Sequence, residues 1–83
     1  MEIKLYMTPT CLWSKKTKDW LKSKKKPFIE FDIVESDKSR DEMIEKSGQM
    51  ATPVIDIDGR IIVGFNEQKL EESIKNAEKK KNK

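Results

Sequence analysis

Residues 6–14 read Tyr-Met-Thr-Pro-Thr-Cys-Leu-Trp-Ser, and they contain the one cysteine of an 83-residue chain, Cys11. A short apolar run leads into this segment, and a lysine-rich helical pattern leads out of it. A cysteine at the junction of a strand and a helix lies at the positive end of the helix dipole, which favours the thiolate. The position therefore indicates sulfur chemistry. The alternative is a buried, inert cysteine, and the polar, turn-forming Thr-Pro-Thr sequence before Cys11 argues against it.

The composition narrows the range of functions. Eighteen Lys and Arg residues face 15 Asp and Glu residues, which gives a mixed, polar surface with a net charge of +3. The chain has no histidine, which excludes a His-paired cysteine and a His-ligated metal. No apolar stretch approaches the ~18 residues of a membrane span, and the N-terminus lacks the apolar core of a signal peptide. We therefore expect a cytoplasmic, reducing setting without a membrane partner.

The basic excess does not predict nucleic-acid binding. Arg40 and Arg60 are the only arginines, and no run interleaves aromatic with basic residues. The lysines between residues 15 and 26 are typical of a solvated helix face. They would also favour a small anionic ligand near Cys11.

Hydrophobic periodicity predicts seven elements in one domain that covers residues 1–83. Their order is strand, helix, strand, helix, strand, strand, helix. The predicted ranges are strand 3–6, helix 12–25, strand 28–33, a helix that begins between 36 and 39 and ends near Gly48, strands 54–57 and 60–63, and a helix after Asn66. Within the second helix we expect a capping box at Ser39 and Glu42, and a buried side formed by Met43, Ile44 and Ser47.

The connections predict an α/β fold. The first two strands are separated by a helix, so they should be parallel, whereas Asp58-Gly59 suits a two-residue antiparallel hairpin. Asn66 is the expected N-cap of the last helix, and residues 77–83 are expected to form a frayed basic tail. A four-stranded mixed sheet with helices on both faces follows from this β-α-β-α-β-β-α order.

Four segments carry a resemblance to a known family. They are residues 6–14; residues 43–49, Met-Ile-Glu-Lys-Ser-Gly-Gln; residues 51–54, Ala-Thr-Pro-Val; and residues 63–67, Val-Gly-Phe-Asn-Glu. In this order and spacing they resemble the glutaredoxin family of the thioredoxin superfamily, over roughly residues 2 to 75. The Gly-Phe pair is most similar to the glutaredoxin-like NrdH-redoxin and YruB branch. The resemblance implies a thioredoxin-like fold and a thiol–disulfide oxidoreductase that takes part in electron transport and cell redox homeostasis.

The resemblance also implies a site. Cys11 would be the nucleophile, and a cis Thr52-Pro53 bond would turn the Thr52 backbone towards it. Glutathione is the implied co-substrate, and its implied contacts are Trp13, Gln49, Thr52, Pro53, Gly64, Phe65, Asn66 and Glu67. The implied partners are glutathione and disulfide or glutathionylated proteins, and we expect a monomer. Read without the resemblance, Pro53 is a strand starter, Asn66 a plain helix cap and Trp13 a core residue.

Three residues near the cysteine depart from the family pattern, and Val63 departs further along the chain, where the family has the first glycine of a Gly-Gly pair. Ser14 stands where a dithiol redoxin has its resolving cysteine, Leu12 where the family usually has Pro, and Thr8 where many members have Lys or Arg for a glutathione carboxylate. Without a second thiol, Cys11 would act by a monothiol route in which a second glutathione regenerates it. A hydrogen bond from the Ser14 hydroxyl to the thiolate would lower the pKa of Cys11. The sequence leaves open whether Ser14 is native or an engineered replacement.

Other functions remain open at this point. An electron donor to a protein such as ribonucleotide reductase would need a thiol at position 14 to turn over. An iron–sulfur cluster carrier of the monothiol glutaredoxin type is disfavoured by the bulk of Leu12 and Trp13 beside the cysteine. The remaining alternative is a non-catalytic binding module that uses the same groove.

Overall fold

Seven elements follow one another in the predicted order within residues 2–81, the part of the chain that the computed structural model describes. They are β1 (Ile3–Met7), α1 (Leu12–Ser23), β2 (Ile29–Asp32), α2 (Asp37–Ser47), β3 (Val54–Ile57), β4 (Arg60–Val63) and α3 (Glu67–Lys81). None of the helices in that range has the length and apolar character needed to span a lipid bilayer.

The four strands form one mixed sheet in the order β2-β1-β3-β4. β1 pairs in parallel with β2, with Tyr6 opposite Phe31, and antiparallel with β3, with Tyr6 opposite Val54. β3 and β4 form the antiparallel hairpin. The predicted four-stranded mixed sheet is confirmed. The end of β1 and the start of β3 therefore lie at the same edge of the sheet, and this edge carries Cys11.

The core lies on both faces of the sheet. One face is covered by α1 and α3, and its buried residues are Ile3, Leu5, Leu21, Ile55, Ile57, Ile62, Leu70, Ile74 and Ala77. The other face is covered by α2, and its buried residues are Tyr6, Ile33, Met43 and Val54. Strand residues alternate between faces, so β1 sends Leu5 to one side and Tyr6 to the other. The helices thus lie on both faces, as the sequence predicts.

Two predicted elements are shorter than expected. α1 ends at Ser23 rather than at residue 25, because Lys25 adopts a left-handed φ of 56° and the Lys26 N–H closes the end on the Leu21 carbonyl at 3.1 Å. The second strand covers 29–32 instead of 28–33. In both cases the chain turns at the boundary, and the hydrophobic pattern does not indicate the residue at which a turn begins.

The second helix begins at a different cap from the expected one. Ser36 is the N-cap, and its hydroxyl accepts a hydrogen bond from the Ser39 N–H at 3.1 Å. The capping box predicted at Ser39 is therefore wrong. Gly48 ends the helix in the left-handed region, at φ 76°, as predicted. Of the expected buried side, Met43 is buried but Ile44 is 36% exposed.

Turn chemistry is well predicted at the hairpin and at the last helix. Asp58 and Gly59 both have positive φ, 49° and 92°, as a two-residue hairpin turn requires. Asn66 caps α3, and its Oδ1 accepts the Lys69 N–H at 3.0 Å. The helix continues to Lys81, so residues 77–81 of the expected frayed tail are helical. Residues 82 and 83 of that tail lie outside the described residues.

A polar cluster crosses from the sheet to α2, and the sequence does not predict it. Lys46 donates hydrogen bonds to Asp56 at 2.7 Å and to the Tyr6 hydroxyl at 2.9 Å, and Tyr6 donates to Glu42. Asp56 also accepts the Gly59 N–H at 2.8 Å. Burial opposes the charge on Lys46, but the hydrogen bonds to Asp56 and Tyr6 outweigh it and raise the pKa of Lys46. The cluster therefore ties β1, β3 and α2 together.

Candidate active site

Cys11 is the N-cap of α1. It has extended backbone angles, φ −83° and ψ 117°, its carbonyl accepts the first helical hydrogen bond from the Lys15 N–H, and its side chain is partly exposed. The turn before it is closed by a hydrogen bond from the Cys11 N–H to the Thr8 carbonyl at 3.2 Å. The thiol therefore lies where the free N–H groups of the first helical turn point. The buried, inert alternative does not describe this cysteine.

Ser14 supports the thiolate. The Ser14 side chain is buried, and no described nitrogen or oxygen accepts its proton. The pKa of the Cys11 thiol is lowered, and the largest cause is the side-chain hydrogen bond from Ser14. Partial burial of the sulfur opposes this effect, and the Ser14 backbone N–H adds to it. Among the described residues the Ser14 hydroxyl has no other hydrogen-bond partner, so it is free to donate to the sulfur once Cys11 ionises.

A Ser14→Ala variant is expected to have a higher pKa at Cys11, closer to that of an ordinary thiol, because the variant loses the hydrogen bond that contributes most to the lowering. The measurement is the rate of iodoacetamide alkylation as a function of pH, whose midpoint reports the thiolate. Ser23→Ala, at the far end of the same helix, is the matched control. An unchanged midpoint in Ser14→Ala would assign the low pKa to the helix terminus alone.

The proline loop faces the cysteine. The Thr52-Pro53 bond is cis, Pro53 is buried, and the Thr52 carbonyl lies 3.9 Å from the Cys11 sulfur. The Gly64 N–H donates to the Pro53 carbonyl at 2.8 Å, and Gly64 has a φ of 83°, which a side chain would disfavour. The proline loop and the segment that opens α3 are therefore held together at this edge.

An aromatic pair joins the first and last helices. The Trp13 ring, 52% exposed, stacks on Phe65 with 6.2 Å between the ring centres, and Lys16 lies 4.5 Å from the Trp13 ring. Asn66 follows Phe65 and caps α3. The reading of Trp13 as a core residue is therefore wrong. Cys11, the proline loop and the start of α3 come together, as the resemblance implies.

Two of the predicted contacts are less tightly placed. Gln49 has an exposed side chain, and its main chain rather than its amide is held by Ser47 Oγ. Glu67 is the exposed first residue of α3. Leu12, next to Cys11, is 63% exposed, and sequence reasoning missed a second exposed apolar side chain, that of Met50 at 61%, two residues before Thr52. The sequence feature that could have indicated this exposure is an apolar residue in a polar loop, since Met50 belongs to no periodic pattern.

These features define a class of protein. A β2-β1-β3-β4 sheet, a cis proline and a cysteine at the start of the first helix together make a thioredoxin-like fold with a single-cysteine site. The sequence model of the glutaredoxin family matches residues 3–62. The chain belongs to the glutaredoxin family.

Individual relatives agree with this assignment. An uncharacterized glutaredoxin-like 8.6 kDa protein in a rubredoxin operon of Clostridium pasteurianum is 50% identical over 72 residues, which cover 87% of this chain and 96% of that protein. The glutaredoxin of Archaeoglobus fulgidus is 28% identical, with a TM-score of 0.82 and coverage of 88% of this chain and 85% of that one. The glutaredoxin of Methanosarcina mazei is 27% identical, with a TM-score of 0.77 and coverage of 87% and 76%.

Proposed function

We propose that this chain is a thiol–disulfide oxidoreductase that exchanges glutathione through Cys11 by a monothiol route. The observation that carries the proposal is the environment of the Cys11 sulfur. It lies at a helix N-terminus, its pKa is lowered by Ser14, and the Thr52 carbonyl faces it. A partly exposed thiolate is the nucleophile that disulfide exchange requires. The proposed setting is the reducing cytoplasm.

The proposed cycle has two exchanges. In the first, the Cys11 thiolate attacks the glutathione sulfur of a glutathionylated substrate, the new disulfide forms at Cys11, and the substrate leaves as a thiolate that takes a proton from water. In the second, the thiolate of a free glutathione attacks the same glutathione sulfur, releases oxidised glutathione and restores the Cys11 thiolate. Ser14 stabilises the Cys11 thiolate at the start and at the end of the cycle and forms no disulfide itself.

Three features of the site support glutathione as the co-substrate. The Thr52 backbone can pair with a peptide main chain, the stacked Trp13 and Phe65 rings offer an apolar wall, and the first turn of α3 supplies N–H groups without intrahelical acceptors. In the described part of the chain, the Asn66 side chain accepts a hydrogen bond from the Lys69 N–H only, so it does not occupy the other N–H groups of this turn. The full proposed set of contacts is Trp13, Gln49, Thr52, Pro53, Gly64, Phe65, Asn66 and Glu67.

Intact-mass measurement tests the proposal. After incubation with oxidised glutathione, the native protein is expected to carry one glutathionyl group, because Cys11 attacks the disulfide and keeps one half of it. Reduced glutathione added afterwards should return the protein to its original mass. The Cys11→Ser variant, whose hydroxyl is not ionised at neutral pH, should show no adduct at any time.

Three outcomes of the same experiment would contradict the proposed function. A native protein that stays unmodified would remove the exchange reaction, and an adduct that persists in Cys11→Ser would place the chemistry elsewhere. An adduct that forms but resists reduced glutathione would exclude turnover by the monothiol route.

A further inference from the structure

A cleft of about 400 Å³ opens beside Cys11, along the side of α1. Its walls are the 7–9 segment, Cys11, Asp19 and three lysines, namely Lys15, Lys18 and Lys22. We call this feature the lysine cleft. Apart from Cys11, it shares no residue with the contacts proposed above for glutathione, and its Thr8 lacks the cation that many family members have at this position for a glutathione carboxylate. It is therefore a second surface that meets the same sulfur.

The charges of the lysine cleft favour an anionic occupant. Three lysines line it against one carboxylate, that of Asp19. Glu30 on β2 binds Lys18 at 3.0 Å, so this lysine is already neutralised. Within the described residues, no carboxylate oxygen lies within 4 Å of the Lys15 or Lys22 ammonium group, and no lysine or arginine nitrogen lies within 4 Å of the Asp19 carboxylate. Lys15 and Lys22 are therefore the cations available to a ligand.

The spacing of the lysines favours a polypeptide over a tripeptide. Lys15, Lys18 and Lys22 recur at three-to-four spacing and so share one face of α1. At 1.5 Å per residue, Lys22 lies about 16 Å along the helix from Cys11. A tripeptide joined through the sulfur of its middle residue extends only one residue to either side, whereas about five extended residues span that distance.

We propose that the lysine cleft binds an acidic segment of a protein substrate, within about five residues of the cysteine whose disulfide Cys11 attacks. This inference rests on the proposed function. The acidic segment neutralises Lys15 and Lys22 and lays the substrate disulfide against the sulfur. The cleft thereby selects among disulfide-bearing proteins by the charge next to their cysteine, while the other side of the site serves glutathione.

Matched peptides test the inference. Each peptide has one cysteine, held as a mixed disulfide with 2-nitro-5-thiobenzoate, and three residues placed three to five positions from it, either before or after. These residues are Asp in one set and Asn in the other. Attack by Cys11 on the peptide sulfur forms a Cys11–peptide disulfide and releases the coloured thiolate, whose absorbance gives the rate. In one of the two placements, the native protein is expected to react about tenfold faster with the Asp peptide at low salt. This preference should fade at about 0.5 M salt.

Two double variants locate the effect. Lys15→Glu/Lys22→Glu should abolish or reverse the preference, whereas Lys75→Glu/Lys79→Glu, with the same change in net charge on the distant half of α3, should retain it. The readout is the ratio of the Asp rate to the Asn rate, because losing Lys15 also alters the reactivity of Cys11 towards both peptides. A glutamate at position 15 is favourable in the first turn of α1, whereas the one at position 22 replaces a favourable lysine of the last turn at a small cost, so the cleft variant should still fold.

Each contrary outcome has a distinct meaning. Equal rates for Asp and Asn peptides in the native protein, or equal loss of preference in both double variants, would overturn the inference. A third outcome uses the rate with oxidised glutathione. If the cleft variant lost as much of this rate as of the Asp-peptide rate, both taken relative to the Asn-peptide rate, the cleft would bind the tripeptide and the proposed acidic segment would be wrong. A native protein that reacts with neither peptide would overturn the proposed function itself.

Discussion

A Ser14→Cys variant is expected to release glutathione from Cys11 about 100-fold faster than the native chain does at ~1 mM glutathione. In the native chain the mixed disulfide waits for a second glutathione molecule to arrive from solution. In the variant, a thiol on the next turn attacks the Cys11 sulfur, closes an internal disulfide and expels glutathione as a thiolate. An effective concentration of only ~0.1 M for that internal thiol, far below the best intramolecular values, gives the expected ratio.

The local geometry supports this closure. Side chains three residues apart at a helix start are about 5–6 Å apart at Cβ, and a disulfide needs about 3.5–4.5 Å. Cys11 supplies the missing adjustment, because it is the N-cap, with extended rather than helical backbone angles. Position 14 lies one helical turn after Cys11, and its side chain is the largest cause of the lowered pKa of that thiol, so a thiol there is expected near the sulfur.

Stopped-flow or quenched mass measurements of the preformed Cys11–glutathione adduct give the release rate. Ser23→Cys is the control, because it adds the same thiol to the same helix but at its last residue, out of reach of Cys11. A Ser14→Cys variant that released glutathione no faster than Ser23→Cys would mean that position 14 cannot resolve the adduct. In that case the serine would not be what confines the chain to a monothiol route.

Most of the fold, and the sheet edge at which the site lies, could be predicted from the sequence because single turn and cap residues determine them. Asp58-Gly59 predicts its hairpin because the turn demands positive φ at both positions, and Asn66 predicts its cap because it can accept an N–H of the first turn. The strand order then brings Cys11 and Pro53 to one edge. Ser36 and Ser39 are both possible N-caps of α2, and the sequence cannot rank them. The choice depends on where β2 ends and how the chain turns after it.

The contacts that form only across the sheet were not predictable. Asp56 alternates with apolar neighbours in β3, a pattern that predicts a solvent-facing carboxylate, yet Asp56 is 7% exposed because α2 covers that face. Lys46 lies in the last turn of α2, a largely polar helix, and the residue pattern of this helix does not indicate which strand residue the Lys46 side chain contacts. The pairing of these two residues depends on where α2 lies on the sheet, which is a property of the assembled fold.

This buried pairing leads to a large expected effect on stability. Lys46→Met is expected to lower the free energy of unfolding by roughly 3 kcal/mol, because it leaves the Asp56 carboxylate, with 10% of its side chain exposed, without its cation. For a chain of this size, whose total stability should be near the low end of about 5–15 kcal/mol, that is a large fraction. Urea and thermal denaturation followed by circular dichroism measure it, with a fall in Tm of more than about 10 °C.

Lys26→Met is the matched control for this prediction. The Lys26 side chain is 27% exposed and the Lys46 side chain 25%, but Glu78, the partner of Lys26, is 48% exposed. An ion pair in contact with water contributes about 0–1 kcal/mol, so Lys26→Met should change little. Adding Asp56→Asn to Lys46→Met should recover part of the loss, because it removes the unpaired charge. Equal losses in the two single lysine variants would contradict the buried-charge account.

The pH dependence separates lost charge pairing from lost packing. The pKa of Glu42 is lowered, chiefly by the hydrogen bond from Tyr6, with burial opposing and the Lys46 charge assisting. The stability that Glu42 contributes is therefore present above the ordinary carboxyl pKa and is lost as the pH falls through the lowered value. The raised pKa of Lys46 has the opposite sign, so its contribution is lost only as the pH rises through that value. Near neutral pH both contributions are intact, and the difference between native and Lys46→Met should be largest there. It should narrow in acid that protonates Glu42, because the ion pair between Lys46 and Glu42, at 3.6 Å, is then lost. A difference of constant size across that range would contradict a contribution from this second ion pair.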